Sequence, residues 1–380
     1  MKPTLRTPLL AIHLWSGIIA GLVLIFVAVS GAVLVFRPTL ERRLDAARFI
    51  VAPGATRLPA DELVARGRAA NPAAELESVR FYGDPTAPFL VYFKDKRYAH
   101  VNPYTGEVLG LRSRYGEGYG WIESLHKYLG LPPSDLGEKI NGTFALMLIG
   151  VTFTGLVLWW PATRRALIAG LTLNRRLTGR PWHLNLHKSL GFYAALVLLT
   201  SAVTSLSISF DVVKAALYPL TGSAKAPLPV VESAPDSPYV GFTAIAREVE
   251  RLMPGAHETY IPLPKEGRVA AYAMAADAPH AVARSYAWFD GGTGKLLRHQ
   301  PYAAAPRGFR LYYWMMALHL GYLGGWPVKL LLLFGALSVP VLACTGTASY
   351  LKRRAATKAR KKIAVKPVVA KARPAPAPVG

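Results

Sequence analysis

Four stretches of this chain are each long and apolar enough to cross a bilayer, which takes about 20 predominantly apolar residues. They are Leu9–Phe36, Ile140–Trp160, His187–Phe210 and Pro327–Tyr350, and mixed sequence of domain length follows the first and the third. The composition agrees, with 52% hydrophobic residues, a mean hydropathy of +0.25 and 18% charged residues, below the roughly 25% usual in soluble domains. The expected fold class is a polytopic α-helical membrane protein with four transmembrane helices and two external α+β domains. The first stretch far exceeds the ~7–15 apolar residues of a signal peptide and no clean small-residue cleavage site follows it, so it is expected to remain as an anchor.

Charge predicts the orientation. Residues 1–8 carry two Lys/Arg, residues 161–186 five and residues 351–380 ten, with no acid among them. All 22 Asp/Glu fall in Arg37–Lys139, beside 15 basic residues, or in Asp211–Trp326, beside 11. By the positive-inside rule both termini and the middle loop are expected in the cytoplasm and the two large loops outside. The net charge of +23 is then no sign of nucleic-acid binding. The basic tail suits anionic lipid of the bilayer, and its Ala/Pro/Val-rich end reads as disordered. The expected organisation is a cytoplasmic N-terminus (1–8), spans at 9–36, 136–160, 183–210 and 326–350, external domains at 37–114 and 211–306, short interfacial helices at 115–130 and 307–323, a basic loop at 161–182 and a disordered tail at 351–380. The single cysteine, Cys344, excludes an internal disulfide, a CxxC pair, a cysteine zinc site and the CxxCH attachment of a c-type haem.

The chain also repeats itself. Placing His13 on His187 puts Gly17 on Gly191 and Phe36 on Phe210. Tyr98–Leu109 parallels Tyr286–Leu297, each reading as a strand, a tight turn from Asn102 or Asp290 to Thr-Gly, and a returning strand. Trp121–His126 parallels Trp314–His319, and a Gly/Pro break and a span follow each.

Four histidines therefore stand at matched places. His13 and His187 lie near the cytoplasmic ends of their spans, and His126 and His319 lie just before the second and fourth spans. An imidazole at membrane depth is a functional candidate. Such residues can relay protons, but no Asp or Glu lies within the apolar runs. They can bind a metal ion, for which two histidines per site are too few unless a group such as Glu123 joins. They can be axial ligands of b-type haem, which needs facing neutral imidazoles, small residues such as Gly17, Gly191, Gly130 and Gly321, and apolar walls such as Trp15, Trp121, Tyr313 and Trp314. They can also be satisfied by backbone carbonyls. His183, one turn before His187, is a second candidate ligand. His100, His257, His280 and His299 have no repeated counterpart and are expected at the solvated surface.

With its His13–Gly17 and His187–Gly191 motifs, the turns at Asn102 and Asp290, and His126 and His319 before spans, the sequence resembles the PepSY-associated transmembrane family over residues 5–352. Within that family it is similar to the di-haem ferric-siderophore reductases of the FoxB type. The resemblance implies two PepSY-like periplasmic domains, a bacterial inner-membrane location and two haem b held by His13/His187 and His126/His319. It also implies oxidoreductase activity toward a ferric siderophore in the periplasm, released as ferrous iron. The chain shows no flavin or NAD domain, so the electron donor is expected to be separate, a quinol or a flavoprotein. Lys127, Arg310 and Lys188 are candidates to meet haem propionates, or they snorkel. Tyr115, Tyr119, Tyr312 and Trp314 are expected in an interfacial aromatic belt. Two other readings stay open: a non-enzymatic PepSY module that binds a periplasmic partner, and an electron carrier for a different acceptor.

Overall fold

The computed structural model describes residues 3–234 and 237–364. Helix α1 (Pro3–Leu34) leads to α2 (Arg37–Leu44), α3 (Ala46–Phe49) and α4 (Ala60–Ala69), then to strands β1 (Leu76–Tyr82), β2 (Phe89–Phe93), β3 (Arg97–Val101) and β4 (Val108–Ser113). After α5 (Gly118–Tyr128) come α6 (Asp135–Trp159), α7 (Arg164–Leu171) and α8 (Gly179–Ser209). Beyond these lie α9 (Asp211–Leu220), α10 (Phe242–Leu252), β5 (Glu258–Pro262), β6 (Arg268–Met274), β7 (Ser285–Asp290), β8 (Leu296–Gln300), α11 (Arg307–His319) and α12 (Gly325–Ala364).

α1, α6, α8 and α12 are long and apolar enough to cross a membrane, and the chain is a polytopic membrane protein. α1 packs against α6 and α12, and α8 packs against the same two, so the four close into a ring with α1 and α8 on one diagonal. Small residues let the backbones approach: a Cβ on Gly21 would stand 3.2 Å from Ala343, and one on Gly335 would stand 2.6 Å from Val197. Ala20, Leu24, Ala194, Leu198 and Val339 fill the middle of the ring. α6 starts where Ser134 accepts a bond from the Gly137 N–H at 3.3 Å, with Asp135 and Glu138 in its first turn facing the positive helix end.

α12 departs from expectation. The tail from residue 351 reads as disordered, yet the helix runs on to Ala364. Residues 351–364 are mostly Ala, Lys and Arg without Pro or Gly, and such residues keep a helix going once a packed span has nucleated it. The rest of the expected disordered tail lies outside the described residues.

The strands form one antiparallel sheet in the order β4-β3-β2-β1-β5-β6-β7-β8. The two external segments thus share a single sheet, closed by β1 on β5 with Val79 opposite Ile261 and Arg80 opposite Tyr260. Apart from each other, β1 and β5 would be exposed edges offering unpaired backbone groups, and pairing them removes both edges. α4 and α10 cover one face, over a common core that includes Leu63, Val91, Val101, Ile245, Val249 and Val269. Asp61 at the start of α4 fastens the two halves, its Oδ1 accepting from the Phe242 N–H at 2.7 Å and its Oδ2 from the Thr243 N–H at 3.1 Å at the first turn of α10.

Two histidines expected in solvent are buried. His100 is 0% exposed beneath Phe49, with no hydrogen-bond partner on either ring nitrogen, and His280 packs on Trp314 and bonds the Tyr302 hydroxyl at 3.0 Å. β3 alternates toward a face that α3 covers, a tertiary contact that residue type does not announce. Burial first, then the Arg112 and Arg48 charges, hold the His100 pKa down to about 3. The unfolded chain takes up a proton near pH 6.5, which the folded chain refuses until about pH 3, so stability is full above 6.5 and falls as pH drops through that window. At pH 5 the expected loss is about 2 kcal/mol. Acid unfolding followed by tryptophan fluorescence should show His100→Leu with a flatter slope there.

Candidate functional site

The chain builds two imidazole pairs at two depths of the helix ring. At the end away from the sheet, His13 on α1 faces His187 on α8 across the diagonal, with ring centroids 6.1 Å apart and planes at 85°. At the end near the sheet, His126 on α5 faces His319 on α11, with centroids 6.2 Å apart and planes at 49°. Val27, which accepts the His126 hydrogen bond, lies about 21 Å along α1 from His13 at 1.5 Å per residue.

Each ring is fixed by its Nδ1. His13 Nδ1–H donates to the Val151 carbonyl at 3.1 Å and His187 Nδ1–H to the Leu342 carbonyl at 3.0 Å. His126 Nδ1–H donates to the Val27 carbonyl at 2.8 Å and His319 Nδ1–H to the Ser201 carbonyl at 3.1 Å. A carbonyl only accepts, so Nδ1 carries the proton and Nε2 presents its lone pair. A hydroxyl stands beside each bond: Thr154, Thr345, Ser30 and Thr204, at 3.1–3.4 Å from the respective Nδ1.

Glycines make room for three of the rings. A Cβ on Gly155 would come within 3.0 Å of His13 Cε1, one on Gly346 within 3.2 Å of His187 Cε1, and one on Gly31 within 2.8 Å of His126 Cε1. These hydroxyls and glycines were not among the expected site residues, although Thr154-Gly155 and Thr345-Gly346 form a matched pair one span after His13 and His187 and carried that signal.

A cavity of about 380 Å³ surrounds the His13/His187 pair. Gly17, Gly191, Leu148, Leu156 and Phe192 are among its lining, and Arg6, Arg180, Lys188 and Arg353 are its basic residues. The walls differ from those expected. Trp15, expected at this pair, is exposed and lies against Tyr350, whereas Trp159 and Tyr350 line the cavity. Gly130 (φ 76°) and Gly321 (φ 72°) turn the chain out of α5 and α11.

His183 is not part of the pair, since its Nε2 accepts from Lys352 Nζ at 3.1 Å. Lys127 lies 3.5 Å from Glu138, and Arg310 keeps a buried Nε without a partner. Around the sheet-side pair, Arg37 contacts both Glu41 at 2.8 Å and Glu123 at 2.5 Å, and Arg112, 7% exposed, reaches Glu41 at 3.2 Å. α5 is thereby tied to α2 and the sheet by a partly buried ion network.

Ring and sheet together define a four-span membrane protein with two stacked imidazole pairs beneath an extramembrane β-sheet. The family model of the PepSY-associated TM region matches residues 10–353, and the chain belongs to that family. No curated protein matches it.

Proposed function

We propose that the chain is a di-haem b ferric-siderophore reductase of a bacterial inner membrane. In this reading both termini are cytoplasmic, the sheet is periplasmic, and each half of a two-fold internal repeat contributes one PepSY-like domain. The observation that carries it is the pairing of the imidazoles. Two imidazoles ligating one metal ion from opposite sides, with bonds of about 2 Å, have ring centroids about 6 Å apart, and both pairs are set at that spacing with Nδ1 satisfied and Nε2 free.

A bare metal ion fits less well. Among the described residues no group of three or more His, Cys, Asp or Glu is placed to hold one, whereas a porphyrin brings its own in-plane nitrogens. His13, His187, His126 and His319 are the residues to hold the two groups, and Arg6, Arg180, Lys188 and Arg353 offer charge-assisted bonds to carboxylate substituents at the cavity around the first pair. When bound, haem would supply one-electron transfer. The protein would fix ring orientation through four backbone carbonyls, exclude water with leucines and Phe192, and present its sheet side to a bulky chelate. One electron per ferric ion is needed, from a quinol or a separate flavoprotein on the side away from the sheet, and the ferrous ion then leaves a chelator that holds it weakly.

The test is the visible spectrum of detergent-purified protein, oxidised and dithionite-reduced, with haem counted per chain. Two low-spin b haems are expected, reoxidised by a ferric siderophore with matching ferrous iron captured by a chromogenic chelator. A colourless protein from haem-sufficient cells, or reduced haems indifferent to ferric chelates, would sink the proposal. His183→Ala should leave spectrum and haem content unchanged, because its Nε2 faces Lys352.

A further inference from the structure

The sheet face opposite α4 and α10 carries arginines laid on tyrosines. Arg80, near the β1–β5 junction, holds its guanidinium 5.6 Å from the ring of Tyr92 and 5.5 Å from that of Tyr260, and its Nη2 donates to the Tyr272 hydroxyl at 3.3 Å. Arg284 lies 4.2 Å from the ring of Tyr272 and 5.5 Å from that of Tyr313, and Arg114 lies 5.3 Å from that of Tyr115. Glu258 lies 3.4 Å from Arg80, and the charge of Glu123, which pairs with Arg37, also reaches Arg114. Among the described residues Arg114 and Arg284 make no ion pair. The Nε atoms of Arg80 and Arg284 are buried with no hydrogen-bond partner.

This patch is partly open to solvent. Arg80 keeps 26% of its side-chain surface open to solvent, and Tyr92, Tyr260 and Tyr286 are half-exposed, yet burial pushes the Tyr92 phenol up from its ordinary value. The patch adjoins the helices of the sheet-side imidazoles. Tyr313 precedes His319 on α11 by about 9 Å of helix rise, and the hydroxyls of Tyr286 and Tyr313 stand 3.5 Å apart. Cations held on aromatic faces keep their charge and lose little freedom when a ligand arrives. Three arginines against Glu258, with Glu123 already held by Arg37, leave the patch positive, and tyrosine and guanidinium planes offer stacking surfaces.

We propose that this arginine–tyrosine patch seats an anionic, aryl-bearing ferric chelate of the tris-catecholate type, in preference to a tris-hydroxamate. Fully deprotonated catecholates leave the ferric complex polyanionic and flat-faced, whereas three hydroxamates only neutralise the ion. The choice of chelate rests on the reductase reading for its iron, but binding requires no electron.

The test therefore uses redox-inert gallium(III) complexes of both chelator types, titrated into the detergent-purified full chain and read by tyrosine and tryptophan fluorescence at low and high salt. The gallium catecholate should bind at least about tenfold more tightly than the hydroxamate, and weaken as salt rises. Arg284→Gln should cost about tenfold in that affinity, with Arg284→Lys recovering part of it. Arg80→Gln should do the same, with a thermal melt and the far-ultraviolet circular dichroism checking that its lost Glu258 contact leaves the fold intact. Equal binding of the two complexes, or affinity indifferent to Arg284, would overturn the inference. Gallium binding as expected in a protein without haem would sink the reductase reading and leave this one standing.

Discussion

Replacing His126 with alanine is expected to leave one low-spin haem in place of two, with the His13/His187 pair untouched, and His13→Ala is expected to do the converse. The two pairs share no ligand, hang from different carbonyls, and are separated by about 21 Å along α1. Removing His126 leaves His319 facing a gap, still tied to Ser201, and one imidazole can at most hold a five-coordinate, high-spin iron. Haem quantification with electron paramagnetic resonance separates the outcomes. Loss of both haems from a single substitution would show that the pairs are not independent, and no loss from either would remove these histidines from cofactor binding.

Asp290→Ala should be the most costly change in the sheet. Asp290 is 0% exposed and accepts four backbone N–H groups, those of Gly292 and Thr293 at 3.0 Å on Oδ1 and those of Glu232 and Ser233 at 3.0 and 2.7 Å on Oδ2. Alanine would orphan all four donors, at an expected cost of about 3–5 kcal/mol, measured as a fall in the unfolding midpoint reported by neighbouring Trp288. Burial alone would raise the Asp290 pKa, but the amide donors outweigh it and hold the carboxyl well below the ordinary carboxylate range. Its stabilisation is thus complete above about pH 4 and is lost as pH falls toward the depressed folded value. Asn102, at the matching turn, accepts only from Tyr104 and Thr105 at 2.9 and 3.3 Å, so Asn102→Ala should cost less.

The spans were readable because a bilayer demands long apolar runs, and the histidine partners were readable because matched positions recur at a common offset. The turns at Asn102 and Asp290 announced themselves for the same reason, since an Asx side chain followed by Thr-Gly fixes a local backbone shape. What could not be read was contact between distant segments. Nothing in Val79 or Ile261 distinguishes a strand that ends a sheet from one that continues into another, so the single eight-stranded sheet was invisible. His100 looked like a surface histidine because α3, which covers it, is four residues long. The extension of α12 to Ala364 was masked by charge, which reads as solvated tail even where helix propensity is high. The hydroxyls of Thr154 and Thr345 were hidden because a threonine in a span normally bonds its own helix, as these also do to Gly150 and Val341.

Every imidazole pair takes one member from each half of the chain, and the anchor of His187 sits on α12, the fourth span to be made. During synthesis the first half alone therefore presents two ligands with no partners, and the pair near the sheet is incomplete until residue 319 has emerged. If the pairs hold haem as proposed, the sheet-side group would be loaded only after α11 has emerged and the β1–β5 seam can close. A ribosome stalled before α11 would leave a membrane-inserted chain with only one imidazole of its sheet-side pair.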